Sequence, residues 1–206
     1  VPEWGHGALD ARTYRALYRA ASALWSEAGC EVHAISLLAH DHAAQEVWFW
    51  NGFGLTAVDA IRSIQPLTNL PAPAVTVRQA ALADLESLLH LEAGHANHYH
   101  QPPIFMAAYE PQDAAAVTAF LNEPHNSIWI AFDGAQALGF MRFETHSFGA
   151  AEIVNAPDKV AITGAYVRPE ARGRGAAPAM LDAALRHYAA QGFVRCSVEF
   201  EAFNPE

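Results

Sequence analysis

Apolar residues recur along this chain with two periods, and the switches between them outline its elements. Leu17, Ala20, Ala21, Leu24 and Trp25 fall three or four apart, which predicts a helix over Arg12–Glu27. A turn at Gly29 follows, then an apolar strand, Val32–Ala39. A second helix is expected over Ala43–Trp50, closed by Asn51-Gly52-Phe53-Gly54, with a strand over Ala57–Ile64. Gln65–Ala74 carries Pro66, Pro71 and Pro73 and reads as a stiff linker.

Beyond the linker, Val75–Arg78 alternates as a strand. Leu82, Leu85, Leu88 and Leu89 share one face of a helix over Ala81–Asn97. A helix over Gln112–Leu121 comes next. Ser127–Phe132 and Leu138–Thr145 read as strands of a hairpin turning at Asp133-Gly134. A loop, His146–Asp158, leads to the strand Val160–Val167, the helix Pro178–Ala190 and the strand Arg195–Phe200.

The richest stretch joins the strand ending at Val167 to the helix opening at Pro178: Val-Arg-Pro-Glu-Ala-Arg-Gly-Arg-Gly-Ala-Ala, residues 167–177. Glycines at 173 and 175 let the backbone approach a ligand closely and turn successive N–H groups toward one point. The following helix adds partial positive charge at its N-terminus. A phosphate group suits such a place.

This stretch resembles the acyl-CoA pyrophosphate loop of the GNAT superfamily of N-acetyltransferases. The resemblance covers residues 75–206 well and 12–64 more faintly. It implies an α/β (α+β) fold, a mixed, largely antiparallel sheet flanked by helices. It also implies acetyl-CoA as donor, with Arg172, Gly173, Arg174, Gly175, Ala176 and Ala177 around the pyrophosphate. Ala177 stands where the family often has glycine. By the same resemblance the backbone of Tyr166 and Val167 holds the pantetheine arm, and Asn204 bonds it. Gly164 marks a candidate β-bulge that would open the sheet there and free an N–H for the oxyanion.

Displaced by 163 positions, the chain meets itself: Ala20, Ala21 and Gly29 fall on Ala183, Ala184 and Gly192, and Trp25 on Tyr188. A duplication is therefore expected, with a partial second GNAT-like copy at the N-terminus. Residues 1–65 read as the rear half of a degenerate GNAT-like domain, 66–74 as linker, and 75–206 as the acetyl-CoA-binding domain without its last helix and strand. The chain is then a piece of a tandem GNAT protein, truncated at both ends. Alternatively, residues 43–64 complete the second domain. Asp10-Ala11-Arg12 replaces the glycine loop in the first copy, and its aspartate would repel pyrophosphate.

Amine transfer needs an unprotonated amine, hence a base. Glu144, Glu199 and Glu201 are candidates, on or beside strands expected to border the site; Glu144 and Glu199 are taken as the catalytic pair. The family's usual acid is a tyrosine on the last helix; Trp48 stands in the corresponding place of the first copy, so no acid is named. His90, His95, His98 and His100 lack the spacing of a metal site. They fall where this fold covers its acceptor, so substrate contact is the reading preferred.

A formal net charge of −10 excludes a nucleic-acid backbone as partner and leaves room for a cationic amine. A hydrophobic fraction of 52% supports a filled core, and no run reaches a membrane span's length. Cys30 and Cys196 are expected to be buried, reduced thiols in a cytoplasmic protein. The expected function is direct acetyl transfer from acetyl-CoA to a small amine or amino-acid-like acceptor. An acyl-CoA-binding sensor without turnover is the alternative, and a homodimer stays open.

Overall fold

In the computed structural model the described residues are 1, 5–70, 74–145, 154 and 156–204. Pro71 and Pro73 of the expected linker, and most of the loop 146–158, lie outside them. The chain divides into two compact units, Val1–Thr56 and Ala57–Glu206. The division thus falls ahead of the strand 57–63, not in the proline-rich stretch.

The first unit holds helices α1 (Ala11–Glu27) and α2 (His42–Trp50). Each starts on an aspartate that bonds an otherwise unpaired amide: Asp10 accepts from the Thr13 N–H at 2.7 Å and Asp41 from Ala44 at 3.0 Å. Asp10, expected to repel a phosphate, is therefore a helix cap. The Thr13 amide bond holds its carboxyl below the usual range. Tyr14, Ala44, Val47 and Trp48 form a small core, with Tyr18, Ile35, Leu37 and Phe53 against it. The expected strand 32–39 forms no ladder, and no strand occurs among this unit's described residues. The helix expected over 12–27 is present here; the strand expected after it is not.

The second unit is a six-stranded sheet in the order β1 (Ala57–Ser63), β6 (Arg195–Glu201), β5 (Lys159–Val167), β4 (Gln136–Glu144), β3 (Ser127–Asp133), β2 (Thr76–Gln79). Neighbours run antiparallel except β5 and β6. β1 pairs with β6 from Ala57↔Glu201 to Ser63↔Arg195. The strand expected to end the first domain therefore closes the second, as the alternative allowed for its strand portion. Leu67 of the supposed spacer packs against the same core, and its N–H donates to Asp182 Oδ1 at 2.8 Å.

Helices cover both faces. α5 (Ala176–Ala190) packs Met180, Ala184, Leu185 and Tyr188 onto Met141, Phe143, Val160 and Cys196. α3 (Leu85–His100) and α4 (Ala114–Asn122) cover Ile128, Ile130 and Phe140 with Leu88, Leu91 and Val117. α3 outruns its expected end by three residues, and α5 starts two earlier than expected. Alternation along the strands explains the two layers: Ile128 and Ile130 face α3, while Met141 and Phe143 face α5.

β5 breaks that alternation. Phe143 pairs with Ile162 but Arg142 with Gly164, so Thr163 is an extra residue. Val160 and Ile162 belong to the α5 side, yet Tyr166 packs on the α3 side. The bulge expected from Gly164 is therefore present, and it reverses the facing of everything after it.

Candidate active site

Beyond β5 the chain makes a 3-10 turn, Pro169–Ala171, with Ala171 buried. Gly173 and Gly175 both take left-handed backbone, φ 72° and 80°, and Gly175 caps α5. A side chain would be strained at either position. Among the described residues, the N–H groups of Gly173, Arg174, Gly175, Ala176 and Ala177 meet no acceptor. The first turn of a 15-residue helix lies behind them. Unpaired amides and a helix N-terminus together make a place for an anion.

This loop forms one end of a cleft of about 750 Å³. The cleft exists because β5 and β6 part. Their parallel pairing runs from Lys159↔Arg195 to Ile162↔Val198 and stops where the bulge begins. Past that point Thr163–Val167 forms one wall and Val198–Glu201 the other. The β5 edge facing β6 is then free to pair with an extended ligand, as a sheet edge does.

The far end is aromatic and acidic. His95, His98 and Tyr99 reach it from α3, Tyr109 from the following loop, and Glu199 and Glu201 from β6. Tyr99 and Tyr109 stack at 4.5 Å between ring centres. The Tyr109 hydroxyl and His95 Nδ1 are hydrogen-bonded at 3.3 Å, and burial pushes this phenol up to about 12. Burial also raises Tyr99, helped by the charges of Glu201 and Glu199. Desolvation lifts the Glu201 carboxyl above the ordinary glutamate value. The His98 ring Nε2 and Asn204 Oδ1 are hydrogen-bonded at 3.3 Å. Among the described residues no three His, Cys, Asp or Glu side chains are grouped to hold a metal ion.

A strand–bulge–loop–helix unit with unpaired amides at its turn has a counterpart in sequence: the profile of the acetyltransferase (GNAT) family matches residues 94–205. The chain belongs to the GNAT acetyltransferase family. No curated protein matches it. Among solved structures, an aminoglycoside acetyltransferase from an uncultured soil metagenomic sample, in complex with sisomicin, is 14% identical with a TM-score of 0.50. That alignment covers 64% of this chain and 80% of the other. A predicted acetyltransferase from Clostridium acetobutylicum with acetyl-CoA is 18% identical (TM-score 0.47), with 64% and 84% covered. The ribosomal-protein-alanine N-acetyltransferase from Brucella melitensis biovar Abortus 2308 is 19% identical (TM-score 0.45), with 58% and 74% covered. At 14% identity the first of these likenesses concerns the fold alone.

In this GNAT domain the residues named from sequence separate into groups. Tyr166, Val167, Arg172, Gly173, Gly175, Ala176, Ala177, Glu199 and Asn204 all line the cleft. The Arg172 Nε donates to the Val167 carbonyl at 3.1 Å, tying the loop to the strand end. The Arg174 side chain pairs with Asp133 at 2.7 Å, and Arg174 does not line the cleft. Glu144, at the end of β4 opposite Ala161, is not on the cleft. Glu201 is, and burial raises its carboxyl above the ordinary glutamate value. Sequence reasoning overlooked the His98–Asn204 bond and the Tyr99–Tyr109 stack. The run of histidines and tyrosines over 95–109 was the available signal.

Cys196 is buried, and burial raises its thiol to about 11; Cys30 is exposed, contrary to expectation. No described helix is long and apolar enough to cross a membrane.

Proposed function

We propose that this protein transfers the acetyl group of acetyl-CoA directly to a primary amine of a small molecule, both substrates being bound in the same cleft. The observation that carries the reading is the junction of five unpaired amides at residues 173–177 with a cleft opened between β5 and β6. The residues fit the donor. The loop amides and the α5 terminus would hold its pyrophosphate, and the exposed β5 edge at Tyr166–Val167 its amide-bearing arm. Asn204, already oriented by His98, lies opposite. The donor supplies an activated thioester; the protein supplies position and charge.

Glu201 is the proposed base, replacing the pair expected from sequence. It lines the cleft, and its raised carboxyl brings it nearer the working pH of a proton acceptor. Glu199, two residues earlier on the same wall, and the Tyr99–Tyr109 stack would hold a cationic amine until it loses its proton.

A panel of primary amines incubated with acetyl-CoA tests this. Release of free thiol with a matching acetylated product on at least one amine is expected. Binding of acetyl-CoA with no transfer to any amine would leave the non-catalytic sensor instead.

A further inference from the structure

Among the described residues, His95 is the one polar side chain that is both buried and on the cleft. Its ring sits among Tyr99, Tyr109, Phe140 and Tyr166, with centres 5.0, 5.4, 5.6 and 6.0 Å away. One nitrogen, Nδ1, stands 3.3 Å from the Tyr109 hydroxyl and 3.7 Å from Glu92 Oε2. Glu92 is itself 1% exposed, and Arg142 donates to its other oxygen, Oε1, at 3.1 Å. Glu92 Oε2 meets no hydrogen-bond donor among the described residues. The second ring nitrogen of His95, Nε2, has no partner among them either, yet it is not sealed from solvent.

This setting selects a tautomer. With the proton on Nδ1, the ring directs it at two oxygens, of Glu92 and Tyr109. With the proton on Nε2, a lone pair would face a buried carboxylate oxygen that already lacks a donor, at a cost in free energy. The Nδ1–H form is therefore favoured, and its Nε2 offers a lone pair to the cleft.

Acetyl transfer to a cationic amine moves two protons. The ammonium loses one before it attacks, and Glu201 is the proposed acceptor of that one. The nitrogen loses another as the C–N bond forms, and the sulfur gains one as the C–S bond breaks. We propose that His95 carries this second proton: Nε2 takes it from the attacking nitrogen and passes it to the departing sulfur of CoA. The proposal rests on the acetyl-CoA reading above. The step balances, because the nitrogen ends as an amide N–H, the sulfur as a thiol, and His95 in its starting form. Glu201 returns the first proton to solvent. The Glu92 carboxylate offsets the positive charge that the ring carries in passing. The placement suits the task, since His95 packs on Tyr166, at the strand edge that would hold the donor's arm.

Two acceptors of equal length separate the two protons. Butylamine is cationic at neutral pH; O-propylhydroxylamine is largely uncharged there and has only the second proton to lose. Acetyl transfer to each is timed for the wild type, His95→Gln and Glu201→Gln. His95→Gln is expected to lower kcat about a hundredfold with both acceptors, as loss of a proton carrier does. Its KM for acetyl-CoA should stay within about twofold, the mark of an interaction made only in the transition state. Glu201→Gln should be slow with butylamine alone. Imidazole added to His95→Ala should restore at least about tenfold in rate by filling the vacated place. A His95→Gln enzyme with wild-type kcat on either acceptor overturns the proposal. So does a raised KM at unchanged kcat, which would make His95 a binding wall only. A His95→Ala protein that binds CoA normally yet ignores imidazole overturns it as well. Wild-type protein that acetylates neither compound nor any amine of the panel overturns the acetyl-CoA reading itself, and the proposal with it.

Discussion

The protonation of a single carboxylate in this cleft is set by its surroundings. Burial raises the Glu201 carboxyl above the ordinary value. Partial desolvation penalises the charged form, so Glu201 holds its proton to higher pH than a solvated glutamate. The sign of the expected pH profile follows: the transfer rate climbs as pH rises and Glu201 ionises, with a midpoint above the usual glutamate range. Glu201→Gln is expected to abolish that limb and lower kcat by about a hundredfold, the upper part of general-base effects being larger still. A pH–rate series on both proteins checks this, and a limb unchanged in the variant removes Glu201 from the role. The sequence made Glu201 a candidate by alternation along β6. The resemblance implied an opening of the sheet there, but not that Glu144 stays outside the cleft. That depends on where pairing ends, which no single strand's pattern encodes.

Elements were legible where periodicity was strong, and their partners were not. The strand 57–63 was expected from its composition, but its seat against β6 depends on a neighbour far along the chain. The glycine loop and α5 were recognisable because their chemistry is local. Gly164 pointed to the bulge, whereas Arg142–Glu92 and His98–Asn204 join residues on separate elements. α5 is itself fixed at depth by one hydroxyl. Tyr188, fully buried, donates to the His125 carbonyl at 2.7 Å and shares a 2.9 Å bond with Ser127 Oγ. Burial pushes this phenol up to about 12. Tyr188→Phe keeps the ring and strands the carbonyl, so denaturant unfolding should show a loss of about 1–3 kcal/mol. An unchanged midpoint would mean that water replaces the hydroxyl without cost.

At the level of the whole chain, an acidic protein carries an anion-binding loop. The formal charge of −10 and a pI near 5.5 set a field that favours cationic acceptors and opposes the donor's phosphates. Donor binding then depends on local amides, which must outweigh an unfavourable background. That dependence gives the most direct measurement: calorimetric titration with acetyl-CoA of the wild-type protein and of Ala177→Asp. Ala177 lies in the first turn of α5 and lines the cleft. An aspartate there suits the helix N-terminus, contributing about 0.3–1 kcal/mol, so thermal stability should hold or rise. Its carboxylate would occupy the amides meant for phosphate, and acetyl-CoA affinity should fall at least tenfold, about 1.4 kcal/mol. Equal affinity in the two proteins, with the fold intact, would contradict the account.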